Sequence, residues 1–171
     1  MKSFLLLAFF VLNFNLCAQN IQISSCELEF SKDSIKTAKK KYYPTKEILL
    51  NAKNNFLYRY RIVINLKNAT GEVAEGIVYR YSISAKFKKK GRTEEGVWSI
   101  PFFIDEIRIS KLLAGAEKKI YIFDLNLQES LNRIKASDFE IESLKIEIMK
   151  EPKKGDERIE IFTNYFPLKK I

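Results

Sequence analysis

The side chains of this chain that could carry out chemistry are carboxylates, because its 171 residues include no histidine. That absence excludes Ser-His-Asp and Cys-His catalysis, histidine-bound zinc and the commonest general base. The sequence also has no glycine-rich phosphate loop and no EF-hand loop. A carboxylate pair, as used in glycoside hydrolysis, is what remains. The candidates are Asp105 with Glu106, Asp124, and Glu94 with Glu95.

These carboxylates are poorly spaced for a shared substrate. Neighbouring residues on a strand point to opposite faces, so Asp105 and Glu106 cannot both reach one bond, and the same holds for Glu94 and Glu95. Solvated strand ends explain them equally well. We therefore expect no enzyme, no cofactor and no metal, and a carboxylate-dependent hydrolase is only the third hypothesis for function.

Positive charge is the second chemical feature, with 30 lysines and arginines against 21 acids and a net charge of +9. Two alternating segments carry basic residues opposite their apolar side. If the two strands pair, these residues share one outward face that would attract polyanions such as lipopolysaccharide phosphates or acidic polysaccharide. The residues of this predicted polyanion face are Arg59, Arg61, Arg80, Lys86 and Lys88.

Two considerations weigh against a functional basic face. Exported β-proteins point lysine and arginine at water for solubility and to discourage edge pairing. The connection from Asn68 to Gly76 is also long enough to cross between sheets and divide the face. Nucleic acid is not expected, because the alternation turns the tyrosines of both strands inward, whereas base stacking needs them outward.

Two short motifs concern covalent modification. Asp33-Ser34-Ile35 resembles the Asp-Ser/Thr-apolar motif on which some Gram-negative bacteria place O-glycans, which makes Ser34 a candidate acceptor. Asn68-Ala69-Thr70 is an N-glycosylation sequon. The signal peptide and the lysine-rich, histidine-free composition are typical of a bacterial protein, and bacterial proteins usually carry no glycan at such a sequon.

The two alternating segments run from Tyr58 to Lys67 and from Ile77 to Lys88. A period of two predicts strands with one buried face. A two-stranded ribbon is marginal in water, so a second layer must cover that face. The predicted inward residues are Tyr58, Tyr60, Ile62, Ile64 and Leu66 in the first segment and Ile77, Tyr79, Tyr81, Ile83, Ala85 and Phe87 in the second.

Other segments of the chain give further strands and one helix. A slip of parity at Ser24-Ser25 predicts a β-bulge in the first strand, Ile21 to Phe30. Glu47–Lys53 fits a strand or a helix, and Asn54-Asn55 favours a strand that forms a hairpin with the Tyr58 strand. The later predictions are a strand with an edge or bulge at Pro101 (97–104), a central strand (119–127), a short helix near 127–135, and strands at 139–149 and 158–163.

Seven to eight strands with turn signals between them predict an all-β, antiparallel, two-sheet sandwich. In strand number and spacing the chain resembles immunoglobulin-like and fibronectin-III-like domains, as architecture only. The Cys-Trp-Cys framework of antibody domains is absent. An up-and-down β-barrel with a cavity for a small, lipid-like ligand is the alternative, which the many aromatic residues would suit.

The N-terminus predicts the compartment. Residues 1–18 combine Lys2, an apolar stretch from Phe4 to Leu12 and a short polar end, as secretory signal peptides do. We expect cleavage between Ala18 and Gln19, which leaves a single β-sandwich domain of residues 19–171. Lipidation of Cys17 is the alternative, although Leu16 is larger than the residue that normally precedes a lipidated cysteine. Cys26 then has no partner, and its alternation with apolar neighbours predicts a buried, inert thiol.

These observations lead to one expectation for function. The chain should be an exported, non-enzymatic binding or accessory module of the bacterial envelope, periplasmic or secreted and not membrane-spanning. Its partner would be an envelope protein or an acidic polymer, which the sequence does not identify.

Overall fold

The computed structural model describes residues 21–33, 39–51, 55–122, 138–152 and 160–171. Its described residues are all-β and form two sheets whose strands are mostly antiparallel, an arrangement consistent with a β-sandwich. The strands are β1 (Ile21–Ser31), β2 (Tyr43–Thr45), β3 (Ile48–Leu50), β4 (Arg59–Asn68), β5 (Ala74–Lys89), β6 (Val97–Trp98), β7 (Phe103–Leu112), β8 (Glu117–Ile122), β9 (Phe139–Lys150) and β10 (Ile161–Lys170).

The smaller sheet has the strand order β2-β1-β4-β8 and is antiparallel throughout. Its longest pairing joins β1 to β4 and shifts register between Ile23 and Ser25. This shift confirms the bulge predicted at Ser24-Ser25, which lets Ile21 and Cys26 both face the interior although their positions differ in parity.

The larger sheet has the order β3-β10-β9-β5, and β6 and β7 follow one another along the far side of β5. A second register shift, at Lys86 and Phe87 in the β5–β9 ladder, lets Ile141 and Leu144 both be buried although their positions differ in parity. The expectation of purely antiparallel pairing is wrong at one place, because β3 runs parallel to β10.

The core lies between the sheets and confirms the predicted inward side of the two alternating segments over residues 62–66 and 77–85, whereas Tyr58, Tyr60 and Phe87 are only half-buried. Ile62, Ile64 and Leu66 from β4 are buried. From β5, the buried residues are Ile77, Tyr79, Tyr81, Ile83 and Ala85. Val63, the exception to the alternation, is buried on the other face of its sheet.

Hydrogen bonds also connect the two layers. The Tyr79 hydroxyl donates to the Ile21 carbonyl at 3.2 Å, and the Asn164 amide donates to the Cys26 carbonyl at 2.7 Å. The alternative of one closed up-and-down barrel is wrong for the described residues, because their strands form two separate sheets whose inward side chains pack against each other.

Two predicted strands differ from the structure. The strand expected over 97–104 is broken, since Pro101 has no N–H for the ladder and lies between β6 and β7. The strand expected to be central over 119–127 is instead β8, an edge of the smaller sheet, with Tyr121 42% exposed. Its two-sided apolar character misled the prediction because Tyr121 packs on an arginine at the outer surface rather than in a core.

The segments on either side of the core also need correction. Ile48–Leu50 is a strand, as favoured, and pairs in parallel with β10. The expected hairpin is present only in part, as one antiparallel bridge between Leu50 and Phe56 just before β4. The last strand runs from Ile161 to Lys170, further than the predicted Thr163, and buries Phe166. The helix predicted near 127–135 lies outside the described residues, as do Arg158 and Ile159.

Cys26 is free and buried, as predicted. Burial raises the pKa of its thiol from 9.0 to about 11, partly opposed by a hydrogen bond from Asn164. Burial likewise raises the pKa of the Tyr79 hydroxyl from 10.0 to about 12.

These two pKa values predict a loss of stability in alkali. Between pH 9 and 12 the unfolded chain releases protons that the folded chain retains, so the free energy of unfolding should fall as pH rises. Urea unfolding at a series of pH values should give a constant free energy below about pH 8 and a decline above about pH 9, roughly where the unfolded thiol begins to ionise. Cys26→Ala should shift the onset of the decline upward by about one pH unit, and an unchanged onset would contradict the role given to the thiol.

Candidate functional site

The predicted polyanion face is not one face in the structure. Arg59 and Arg61 belong to β4 in the smaller sheet, while Arg80, Lys86 and Lys88 belong to β5 in the larger sheet. The connection after Asn68 carries the chain from one sheet to the other, which divides the five residues into two groups. The condition on which the shared face depended is therefore not met, and polyanion binding stays a prediction.

Most of these cations are also neutralised by a carboxylate. The Lys86 ammonium lies 2.7 Å from a Glu95 oxygen, and the Arg80 guanidinium lies 3.0 Å from Glu151. Lys88 lies 3.7 Å from Glu142, and Arg61 pairs with Glu29 at 2.5 Å. Within the described part of the chain, Arg59 alone of the five forms no ion pair.

Arg61 has a structural role that its exposed parity did not indicate. Its guanidinium carbon lies 3.8 Å from the centre of the Tyr42 ring and 4.3 Å from that of Tyr121, and its Nε donates to Glu29 at 2.6 Å. The arginine thus joins β1, β4, β8 and the segment before β2 on the outer face of the smaller sheet. Cation–π contacts of this kind stabilise most when the cation is partly desolvated, as Arg61 is.

The candidate catalytic carboxylates do not converge. Asp105 accepts a hydrogen bond from the Tyr81 hydroxyl at 3.4 Å, whereas Glu106 pairs with Arg108 on the other face of β7. Glu94 lies 3.5 Å from Arg92 and Glu95 pairs with Lys86. Asp124 lies outside the described residues. No group of three potential metal ligands occurs in the ranges that the structure describes.

The modification motifs have different outcomes. Ser34 lies outside the described residues, so its O-glycosylation stays a prediction. Asn68 is fully buried, and its amide nitrogen donates to the carbonyls of Glu72, Leu112 and Leu113 at 2.8, 3.1 and 3.0 Å. Its side chain connects two loops and is inaccessible to a glycosyltransferase in the folded protein.

A groove at one end of the larger sheet is a concave site formed by described residues. It lies where β5 ends and β9 begins and has a volume of about 320 Å³. We call it the Trp98 groove. It is lined by Phe87, Lys88, Lys89, Arg92, Glu94, Glu95, Val97, Trp98 and Phe139.

Aromatic rings form the apolar part of the Trp98 groove. Phe87 and Phe139 meet edge to face with ring centres 6.5 Å apart, and Phe139 remains 45% exposed. Trp98 packs on Tyr165 at 5.6 Å and has the Lys145 ammonium 5.4 Å from its ring. The indole is therefore held in place from the outer face of the sheet.

Charged groups surround these rings. The ion pair of Lys86 with Glu95 fixes the chain beside Trp98: its hydrogen bond raises the pKa of Lys86 and lowers that of Glu95. Lys89 has no ion pair within the described residues, and Arg92 reaches only Glu94. The lining thus carries hydrogen-bond donors and acceptors of both charges around an aromatic surface.

Only indirect signals for this groove can be read from the sequence. Gly91, with φ of 74°, makes the turn that returns the chain toward β5. A Cβ at Gly96 would come within 2.6 Å of the Phe87 carbonyl oxygen, so the chain can approach β5 there only with glycine. Pro101, which has no backbone N–H, then interrupts the pairing with β5 between β6 and β7. The sequence shows Gly91, Gly96 and Pro101 as residues that interrupt strands, but it does not show that they border a binding site.

No helix in the described residues is long and apolar enough to cross a membrane. Searches against protein-family models and curated proteins found no match for this chain.

Proposed function

We propose that this chain is an exported, non-enzymatic binding module of the bacterial envelope, built as a fibronectin-III-like sandwich, and that it binds its ligand in the Trp98 groove. The ligand class that suits the groove is a saccharide. The observation that carries the proposal is a groove lined by two separate aromatic groups, the Phe87–Phe139 pair and Trp98, with charged side chains of both signs around it.

The strand order supports the fibronectin-III-like form. Counting only strands of six residues or more, the first, second and fifth (β1, β4, β8) form one sheet. The fourth, third, sixth and seventh (β7, β5, β9, β10) form the other. Fibronectin-III-like domains have this strand order. A β-sandwich is compatible with many functions, so the function has to be inferred from the Trp98 groove and not from the fold.

The chemistry of the groove favours a ligand with an apolar face and a polar edge. Aromatic side chains supply large, rigid contact area, and convergent polar groups fix orientation. A pyranose ring has an apolar C–H face that can lie on an indole, and hydroxyls that can both donate and accept. Lys89, Arg92 and Glu94 offer partners of both kinds at the rim.

Export is the part of the proposal that rests on residues 1–18, which lie outside the described residues. The basic, apolar and polar succession there supports a cleaved signal peptide. Intact-mass analysis of the protein recovered from the periplasm or medium should give a chain that begins at Gln19. An uncleaved cytosolic chain, or a lipidated Cys17, would contradict this part.

The groove can be tested with its own chromophore, because Trp98 is the only tryptophan in the chain. Excitation at long wavelength isolates its emission, and saccharide bound against the indole should shift or quench it. We would titrate the mature protein with soluble muropeptides, oligogalacturonate and maltooligosaccharides. Saturable change with at least one of these probes is the expected result.

A matched pair of variants separates the groove from the remaining surface. Phe139→Ser removes a half-exposed ring from the groove, and Tyr43→Ser removes a similarly exposed ring elsewhere. Loss of a stacking ring should weaken binding about tenfold or more in the first variant and leave it unchanged in the second. If no probe changes the emission of Trp98, or both variants bind equally well, the groove is not the ligand site.

A further inference from the structure

A dense group of cations without ion pairs among the described residues lies at one corner of the smaller sheet. Its lysines and arginine form no ion pair within the part of the chain that the structure describes, as is also the case for Lys89 of the larger sheet and for Lys118 and Lys119 of β8. Four of the five are lysines, three of them well exposed. We call this set the basic corner, and its members are Lys32, Lys39, Lys40, Lys41 and Arg59.

The fold brings these residues together from three segments. Arg59 lies opposite Ser31 in the β1–β4 register, directly before Lys32. The Lys41 backbone N–H donates to an Asp33 carboxylate oxygen at 2.6 Å, which holds the lysine-rich segment beside the end of β1. Asp33 is the one described acid in direct contact with the corner, so positive charge remains in excess there.

An aromatic cluster lies beside the same charges, with Tyr43 exposed and Phe30 and Tyr58 half-buried. Phe30 lies 6.0 Å from Tyr43 and 5.1 Å from Tyr58, measured between ring centres, and Tyr43 is 50% exposed. The Lys32 ammonium lies 6.0 Å from the Phe30 ring centre and 5.7 Å from that of Tyr58. Lys32 thus joins the basic corner to an aromatic cluster whose outermost ring is that of Tyr43.

We propose that the basic corner docks on the surface of an anionic lipid bilayer. Tyrosine places an apolar ring and a polar hydroxyl at the depth where lipid head groups meet acyl chains, while lysines remain among the anionic head groups. The rings are tilted by 45° and 39° to one another, so they offer no flat platform on which a sugar or base could stack. This geometry favours a bilayer over a soluble acidic polymer, and the proposal does not depend on the Trp98 groove.

The test compares two double variants with the same net charge. Lys39→Glu with Lys41→Glu changes two exposed lysines of the corner, and Lys118→Glu with Lys119→Glu changes two exposed lysines of β8 at the opposite edge of the same sheet. A basic residue near an anionic bilayer contributes about a fivefold change in partitioning. The first variant should therefore lose at least about 25-fold in partitioning onto phosphatidylglycerol vesicles, and the second less than about threefold.

Two further arms decide the nature of the surface. Binding should be absent on phosphatidylcholine vesicles and should weaken with salt, because exposed charges are screened. Tyr43→Ser keeps the charge but should still weaken binding to phosphatidylglycerol several-fold. The proposal would be overturned by an equal loss of binding in both double variants or by full binding of Tyr43→Ser. Displacement from vesicles by soluble polygalacturonate at matched charge would also overturn it, in favour of an acidic polymer as the partner. Near-ultraviolet circular dichroism of each variant would establish that it remains folded.

Discussion

Asn68→Asp should destabilise the protein by about 3–5 kcal/mol at neutral pH, although the two side chains have almost the same shape. The Asn68 amide nitrogen faces three backbone carbonyls inside the protein, and its oxygen accepts from the Thr70 N–H at 3.1 Å and the Thr70 hydroxyl at 2.7 Å. An ionised carboxylate would place a second oxygen against carbonyl oxygens with no hydrogen to share. Such an oxygen loses its hydration and gains repulsion.

The effect should depend on pH in a defined direction. Burial among carbonyls would raise the pKa of the introduced carboxyl in the folded state above its unfolded value of about 4. A raised folded pKa means that the penalty is small below about pH 4, where the protonated carboxyl donates one hydrogen bond, and grows as pH rises above that value. Urea unfolding of wild type and variant at pH 4 and pH 7 measures both quantities.

Asn65→Asp is the matched control, since it makes the same change three residues away in β4. Asn65 is only half-buried, and its amide donates to the Ser25 hydroxyl at 2.6 Å. That hydroxyl donates to Glu27, so an introduced carboxylate would keep its hydration from the solvent side. We expect a cost of about 1 kcal/mol or less. Similar costs for both variants, or a pH-independent cost at Asn68, would mean that the three carbonyl contacts do not determine the stability of this loop.

Asn68 also shows what the sequence alone could and could not predict. Its tripeptide was recognisable as a sequon, but its burial depends on the loop after Leu112, which comes 44 residues later. Local alternation predicted which face of β4 and β5 is buried, because the period of two is a property of each strand by itself. It could not predict which strands pair, since pairing depends on contacts that are distant in the sequence.

The basic residues follow the same logic. Parity placed Arg61 and Lys86 on the outer faces of their strands, but not in one sheet and not beside Glu29 and Glu95, which come from other segments. The Trp98 groove was missed because it needs a turn, a close approach at Gly96 and a first residue of β9 to meet in space. The excess of lysine in the composition predicts that the net charge is positive. Only the ion pairs in the structure show which of the positive side chains have no acidic partner.

Ile83→Ala should cost about 2–5 kcal/mol, a large fraction of the stability of a domain this size. Ile83 is 1% exposed and lies in the middle of the larger sheet, opposite Ile146 on one side and Phe103 on the other. Deleting its side chain beyond Cβ removes buried apolar surface and leaves a cavity that two flanking strands cannot close. Denaturant unfolding should show a lower midpoint with an unchanged slope.

Ile104→Ala is the control for Ile83→Ala, because it makes the identical change in the neighbouring strand at a residue that is 70% exposed. Ile104 pairs with Ser82 and points to the outer face, so the cost should be about 1 kcal/mol or less. Arg61 and Ser84, which parity alone would suggest as exposed controls, are unsuitable: Arg61 is held by Glu29 and two tyrosines, and Ser84 is buried. Equal costs at Ile83 and Ile104 would mean that the buried side of β5 is wrongly assigned, since the two variants differ in burial and not in chemistry.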